Sequence, residues 1–297
     1  MSGKGMSLKA RIRNLSKEKN VSAQALLQTW VFQRFLSRLE KSTHNDRFVL
    51  KGGVLIAAWV GVGLRATMDI DMTVRNLPLT DVAMQSAIRN ICSVTVHDDV
   101  SFWVLRVEPI RDDDLYGGLR VFLSARYDTL EIPFSIDITT SDAITPKPCK
   151  SSIPCFLDDS HIAVVWVYPI ETVLAEKVET ILSRGIANTR ARDFYDIFIL
   201  TATQPYDMTL FKEALTATTK HRGSTVIIGE MAERITVIAN SRELRTEWGK
   251  YCKLFHYAAD ITYEQTIASL KRLCEWGAPE IPKQGFKCFE SILGWDK

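Results

Sequence analysis

Asp69 and Asp71 stand one residue apart in the run Met68-Asp-Ile-Asp-Met-Thr-Val74. Such a period of two marks a strand with one polar and one apolar face, and puts Asp69, Asp71 and Thr73 together on the polar one. With a strand rise of ~3.3 Å per residue, the two Cα atoms lie about 6.6 Å apart, so the carboxylates can converge on shared cations. Left bare, they would repel and raise each other's pKa. The pair therefore makes most physical sense around a hard divalent ion, Mg2+ or, as an alternative, Mn2+. In a two-metal site the ions sit ~3.5 to 4 Å apart; one activates an attacking oxygen and the other neutralises a triphosphate and its leaving group. That is the chemistry of phosphoryl or nucleotidyl transfer.

Alone, the Asp-x-Asp pattern is no stronger than the ordinary reading of acids on an exposed strand face. Its surroundings add weight. Upstream, Gly52 and Gly53 fall where a strand turns into a helix, a place where backbone N–H groups and the helix dipole can meet phosphate oxygens; as a pair on their own they would be only a turn. Downstream, Asp137 lies between apolar neighbours in Phe134-Ser-Ile-Asp-Ile-Thr139, where a third carboxylate could complete the metal site and act as base; the alternative is a solvent-facing acid on an edge strand. Arg65 and Thr67 immediately precede the acids. An arginine there could neutralise a triphosphate through bidentate contacts, or make a surface ion pair. Lys177 occupies the i+7 place in an apolar stripe begun by Ile170, so it either snorkels to the edge of the packing or meets an anionic ligand. Arg190, Arg192, Asp193 and Asp196 open another helix. With Arg192 and Asp196 at i,i+4 they could be an intrahelical ion-pair set, or one aspartate could orient Lys177 or an arginine.

The elements that must hold these residues can be read from periodicity. An amphipathic helix over residues 22 to 40 carries Phe32, Phe35, Leu36 and Leu39 behind an N-cap at Ser22. A short strand at 48 to 50, the glycine turn, and a small-residue helix at 54 to 60 follow. A helix is expected at 81 to 92, then strands at 100 to 109, 119 to 127 and 134 to 139, with turn-rich sequence at 112 to 118. From Pro169 the texture is helical, with Thr225 to Ile228 as a candidate extended piece and irregular sequence at the end. The expected architecture is α+β and bilobed. An α/β lobe with a mixed sheet spans residues 1–165, and a mainly helical lobe spans 166–297.

Composition narrows the class. The 297 residues are 46% hydrophobic and 24% charged, which suits a globular chain with a substantial core. No apolar run reaches the ~18 to 20 residues of a membrane span, and Met1 to Lys9 has no apolar signal core, so a soluble cytoplasmic protein without membrane contact is expected. The six cysteines form no C-x-x-C pair and the five histidines no H-E-x-x-H, which argues against a zinc or dithiol site. A net charge of +2 argues against coating nucleic acid by bulk charge and leaves a local basic patch open. There is no G-x-S-x-G and no G-x-G-x-x-G to suggest acyl transfer or a dinucleotide cofactor.

Taken in order, Lys51-Gly-Gly53, Arg65-Ala-Thr-Met-Asp-Ile-Asp71, Tyr168-Pro-Ile-Glu-Thr-Val-Leu-Ala-Glu-Lys177 and Arg190-Ala-Arg-Asp-Phe-Tyr-Asp196 resemble the AbiEii-type (MenA/MenT) nucleotidyltransferase toxins of type IV toxin–antitoxin systems, members of the DNA polymerase β-like superfamily. The resemblance covers about residues 48 to 200. It implies a polymerase β-like lobe and a helical lobe with a nucleotide cleft between them. It also implies a nucleoside triphosphate substrate, an RNA acceptor such as the tRNA 3′ end, a winged-helix antitoxin partner of the AbiEi type, and growth inhibition or phage defence as the outcome. By the same resemblance Asp69 and Asp71 match the metal ligands and Lys177 and Asp193 the second-lobe catalytic pair; Lys51, Gly52, Gly53, Arg65, Thr67 and Arg192 are the expected nucleotide contacts. One departure is Gly53, where the superfamily often has serine. Two other readings compete: nucleotidylation of a protein hydroxyl, and a catalytically silent module that binds an antitoxin or nucleic acid.

Overall fold

A computed structural model describes residues 3–110, 117–157 and 161–275. The chain divides into two compact units, Met1–Pro169 and Ile170–Lys297. The first begins with two helices, α1 (Gly3–Lys19) and α2 (Ala23–Lys41), and continues through β1 (Phe48–Lys51), α3 (Gly52–Val60), β2 (Ile70–Val74) and α4 (Asp81–Cys92). Five strands follow: β3 (Val100–Pro109), β4 (Leu119–Tyr127), β5 (Leu130–Thr140), β6 (Cys149–Pro154) and β7 (His161–Val167). Together with β1 and β2 they form one seven-stranded mixed sheet in the order β3-β4-β5-β2-β1-β7-β6. β1 runs parallel to β7 and β2 parallel to β5, while the other pairs are antiparallel.

The strand alternation of β5 explains where the site lies. Ile132, Phe134, Ile136 and Ile138 are buried on one face. There Phe134 meets Phe32 and Phe35 of α2 with ring centroids 6.1 and 6.3 Å apart, an edge-on geometry favoured by aromatic quadrupoles. Asp137 and Thr139 necessarily point to the opposite face, as do Asp71 and Thr73 of the parallel neighbour β2. Core packing on one side of the sheet thus dictates which residues are left for chemistry on the other. α2 is anchored as expected by the Ser22 hydroxyl, which accepts from the Ala25 N–H at 3.2 Å.

The second unit is helical among its described residues: α5 (Ile170–Arg184), α6 (Ala191–Thr203), α7 (Met208–His221), α8 (Val226–Asn240), α9 (Arg242–Leu254) and α10 (Tyr263–Cys274). Its core comprises the apolar faces of these helices, including Leu174, Ile181, Leu200, Leu215, Ile238 and Leu270. No helix among the described residues is long and apolar enough to cross a membrane.

Several elements differ from the sequence expectation. α1, β6 and β7 were not anticipated, α3 starts at Gly52, and β2 starts at Ile70, leaving Asp69 on the approach to the strand. Thr225 to Ile228 is not extended: Thr225 is the N-cap of α8, where burial of Ile227 and Met231 offsets the small helix penalty of the β-branched Val226, Ile227 and Ile228. The division at Pro169 follows β7, which pairs with both β1 and β6. Residues 111–116 of the turn-rich segment and the chain end from 276, with Cys288, lie outside the described residues.

Candidate active site

The turn from β1 into α3 has no room for side chains. Gly52 has φ +67°, and a Cβ there would run into the Asp71 carboxylate. At Gly53 a Cβ would lie 2.5 Å from the Thr67 hydroxyl oxygen and 2.9 Å from its Cβ. Thr67 therefore fills the space that a serine at position 53 would need. Its hydroxyl donates to the Asp69 carbonyl at 3.2 Å and accepts from the Asp69 N–H at 3.4 Å, fixing the backbone that presents Asp69. Arg65 is not a surface residue as one reading had it: it is 2% exposed and donates to the Ala66 carbonyl at 2.6 Å. The Gly53 N–H, expected to face phosphate, donates to Asp71.

Strand register brings the acids together. Asp71 sits opposite Lys51 on β1 and opposite Asp137 on β5. Asp69 is exposed just outside β2. Burial pushes the Asp71 carboxyl upward, Lys51 partly offsets this, and Asp137 and Asp69 raise it further by like-charge repulsion. Asp137 is no solvent-facing acid on an edge strand: β5 lies between β4 and β2, and Arg120, its register partner on β4, grips it with two hydrogen bonds of 2.6 Å. Those bonds, helped by Asp69 and Asp71, raise the Arg120 guanidinium further. Arg120 is thus the positive charge facing all three acids.

The third expected carboxylate, Asp137, is turned to Arg120, and among the described residues no group of three or more His, Cys, Asp or Glu side chains has metal-holding geometry. The donor chemistry nevertheless fits a hard divalent ion. Asp69 and Asp71 offer carboxylate oxygens from adjacent polar-face positions, and Asp71 carries a like-charge burden that a cation would relieve. Asp137 could join them once released by Arg120.

Lys51 is held by a neighbouring acid and hydroxyl. Its ammonium donates to Asp142 Oδ2 at 2.7 Å and to the Thr139 hydroxyl at 2.8 Å. The same Asp142 oxygen accepts from the hydroxyls of Thr139 at 2.8 Å, Tyr168 at 2.7 Å, and Thr73. Burial raises the Asp142 carboxyl, but Lys51 and these hydroxyls outweigh it and hold it well below the usual carboxylate range. Lys51, Asp71 and Asp137 form one row across the sheet; Thr73 and Thr139 form the next, and Asp142 closes it. Sequence reasoning missed Arg120, Asp142 and Tyr168 in this role, since only strand pairing reveals them.

In the helical unit, Lys177 of α5 neither snorkels nor points away from protein acids. Its ammonium reaches Asp193 at 2.9 Å and the fully buried Asp196 at 2.7 Å, both on α6. Burial works to lower its pKa, and the two carboxylates overcome this and raise it. Arg192 does not form the i,i+4 pair with Asp196: it is exposed, makes no ion pair among the described residues, and lies over the Phe255 ring at 6.0 Å.

Comparison with known proteins places this geometry in context. Residues 34–269, well over half of the chain, match the family model described as nucleotidyl transferase AbiEii toxin, type IV TA system. No curated protein matches the chain. Among solved structures, JHP933 from Helicobacter pylori is similar at 15% identity and TM-score 0.46, with 93% of this chain and 99% of that one covered. An antigenic nucleotidyltransferase-like protein from Paracoccidioides brasiliensis is similar at 12% identity and TM-score 0.33, with 80% and 91% covered.

Proposed function

Given that the chain belongs to the AbiEii nucleotidyltransferase toxin family of type IV toxin–antitoxin systems, we propose that it transfers a nucleoside monophosphate from a nucleoside triphosphate to the 3′ end of an RNA, with tRNA as the acceptor. The observation that supports this best is the row formed by Asp71 and Asp137 in register, with Asp69 two residues away and a side-chain-free glycine turn beneath. A bound divalent ion, Mg2+ or Mn2+, would neutralise triphosphate charge and favour deprotonation of the attacking hydroxyl. Asp69 and Asp71 would hold it, with Asp137 as third ligand or as base for the hydroxyl proton. The acceptor 3′-oxygen bonds to the α-phosphorus, the bond to the bridging oxygen breaks, and pyrophosphate leaves.

The remaining residues serve this reaction in graded ways. Gly52 and Gly53 let the triphosphate approach the backbone, while Arg65 and Thr67 keep the Asp69 segment in shape. Lys51 sets the charge beside Asp71 from its seat on Asp142. Lys177, Asp193 and Arg192 are assigned to the reaction on the likeness of their motif. Growth inhibition by loss of usable tRNA, relieved by a separately encoded winged-helix antitoxin, completes the reading.

The test is incubation of the protein with Mg2+, total tRNA and each α-labelled nucleoside triphosphate in turn. Label should enter RNA, and Asp69→Ala should lower the rate at least ~100-fold, the scale of ~3 kcal/mol of lost transition-state stabilisation, with the fold unchanged by circular dichroism. Label entering protein alone would replace the RNA acceptor with a protein hydroxyl. An Asp69→Ala variant as fast as the parent would sink the metal assignment.

A further inference from the structure

α1 concentrates charge that the rest of the chain lacks. Its sequence holds Lys4, Lys9, Arg11, Arg13, Lys17 and Lys19 against the single acid Glu18, a net of +5. Since the whole chain carries +2, everything outside α1 sums to −3. All six cations are exposed. Leu8 and Ile12 are buried on a different face of the helix from Lys9, Arg13 and Lys17, and the Gly5 N–H donates to Asp128 at 3.0 Å. The helix is therefore pinned by one face and presents the other.

On that free face Lys9, Arg13 and Lys17 recur at i, i+4 and i+8, a single stripe one turn apart. None of the three pairs with an acid among the described residues, in contrast to Lys4, which binds Asp99 at 2.5 Å, and Lys19, which binds Glu18 at 3.1 Å. A second observation lies beside the helix. A depression whose lining includes Lys4, Arg11, Trp30, Arg34 and His97 adjoins it; the acid that also lines it, Asp98, is already committed to Arg38 at 2.8 Å. Arg34 lies over the Trp30 ring at 5.4 Å, and its buried Nε has no hydrogen-bond partner. Arg11 and Arg34 thus bring two cationic side chains to this depression.

We propose that the outer face of α1, with the Arg11–Arg34 depression beside it, binds the phosphate backbone of the RNA acceptor; this rests on the RNA-acceptor reading given above. Regularly spaced, unpaired cations in an otherwise acidic molecule are the electrostatic footprint of a polyphosphate partner. A membrane surface fits less well, because a helix lying in a bilayer needs an apolar face to insert, and here the apolar residues Leu8 and Ile12 are already buried against the protein. Phosphate contacts of this kind carry affinity and orientation without base preference, so α1 raises occupancy of the acceptor while the acids of β2 and β5 perform the transfer.

The experiment uses the full chain and its Lys9→Gln/Arg13→Gln/Lys17→Gln variant, with binding of a 5′-fluorescein-labelled tRNA pool followed by anisotropy across a salt series. A control variant, Lys41→Gln/Lys147→Gln/Lys253→Gln, removes the same charge from exposed positions elsewhere. The α1 variant should bind at least ~10-fold more weakly at low salt. Its slope of log K against log salt should be shallower by about 2 to 3, close to one unit for each lost phosphate contact. In transfer assays KM for tRNA should rise while kcat holds. An unchanged affinity and slope while the parent still labels tRNA overturns the assignment to α1 alone. An equal loss in the control variant overturns it too, as does loss of binding to phosphatidylserine vesicles in place of RNA. A parent that neither binds nor labels tRNA, with Asp69→Ala indistinguishable from it, removes the RNA reading itself.

Discussion

A methyl group at position 52 would have to share space with the Asp71 carboxylate, and the backbone there already sits in the left-handed region at φ +67°. Gly52→Ala should therefore displace the acid and add a backbone cost of roughly 1–2 kcal/mol. We expect transfer to fall at least ~100-fold with a modest drop in melting temperature; full activity in that variant would mean that the Asp71 position is not the reacting one. At this scale the sequence was most legible where chemistry and period coincide. Asp69 and Asp71 are visible because a two-residue alternation leaves acids on one face. Arg120 is invisible, because its bond to Asp137 depends on the β4–β5 register. Lys51 was legible as a residue near the acids but not in its contacts, since its partner Asp142 lies in a loop that no periodicity announces.

Asp142 is a joint between elements more than a member of one. It gathers β1 through Lys51, β2 through Thr73, β5 through Thr139 and the end of β7 through Tyr168. Asp142→Asn leaves the ammonium of Lys51 largely buried without its counter-charge, a loss of about 3 kcal/mol. The pH dependence has a definite sign. A carboxyl depressed in the folded state contributes stability above its unfolded value of 3.8, and that contribution fades as pH falls below it. The gap between parent and variant in urea denaturation should accordingly be full at pH 7 and shrink below about pH 4. A gap that stayed constant would assign the loss to packing. Among the elements, α2 was legible from its apolar spacing and its Ser22 cap. α1 was not, because its buried set is only Gly5, Leu8 and Ile12, too sparse to write a stripe. β6 and β7 are not legible in the local sequence: β7 joins the sheet by pairing with β1, and β6 by pairing with β7.

For the molecule as a whole, each of the two units carries its own core and its own buried charge device. Asp142 with Lys51 belongs to Met1–Pro169, and Lys177 with Asp193 and Asp196 belongs to Ile170–Lys297. Lys177→Met strands two carboxylates, one of them fully buried, and should cost about 3 kcal/mol. The two networks share no residue, so combining Lys177→Met with Asp142→Asn should give the sum of the separate losses to within ~0.5 kcal/mol. A coupling well above 1 kcal/mol would show that the two networks are not energetically independent. The α+β class and the mixed sheet were legible from alternating strand and helix periods, whereas the sheet order, with β2 and β1 at its centre, follows from long-range pairings that local sequence does not encode.

The crowding around Gly52 and Gly53 also bears on how such a toxin is lost from a lineage. Every change at the first or second base of a glycine codon installs a side chain or a stop, and neither position tolerates a Cβ. Populations that escape poisoning should therefore carry lesions at codons 52 and 53 as well as at the acids, and those of the first kind leave every acid intact. An inheritor of this gene can be inert and still look fully armed to anyone who inspects only its aspartates.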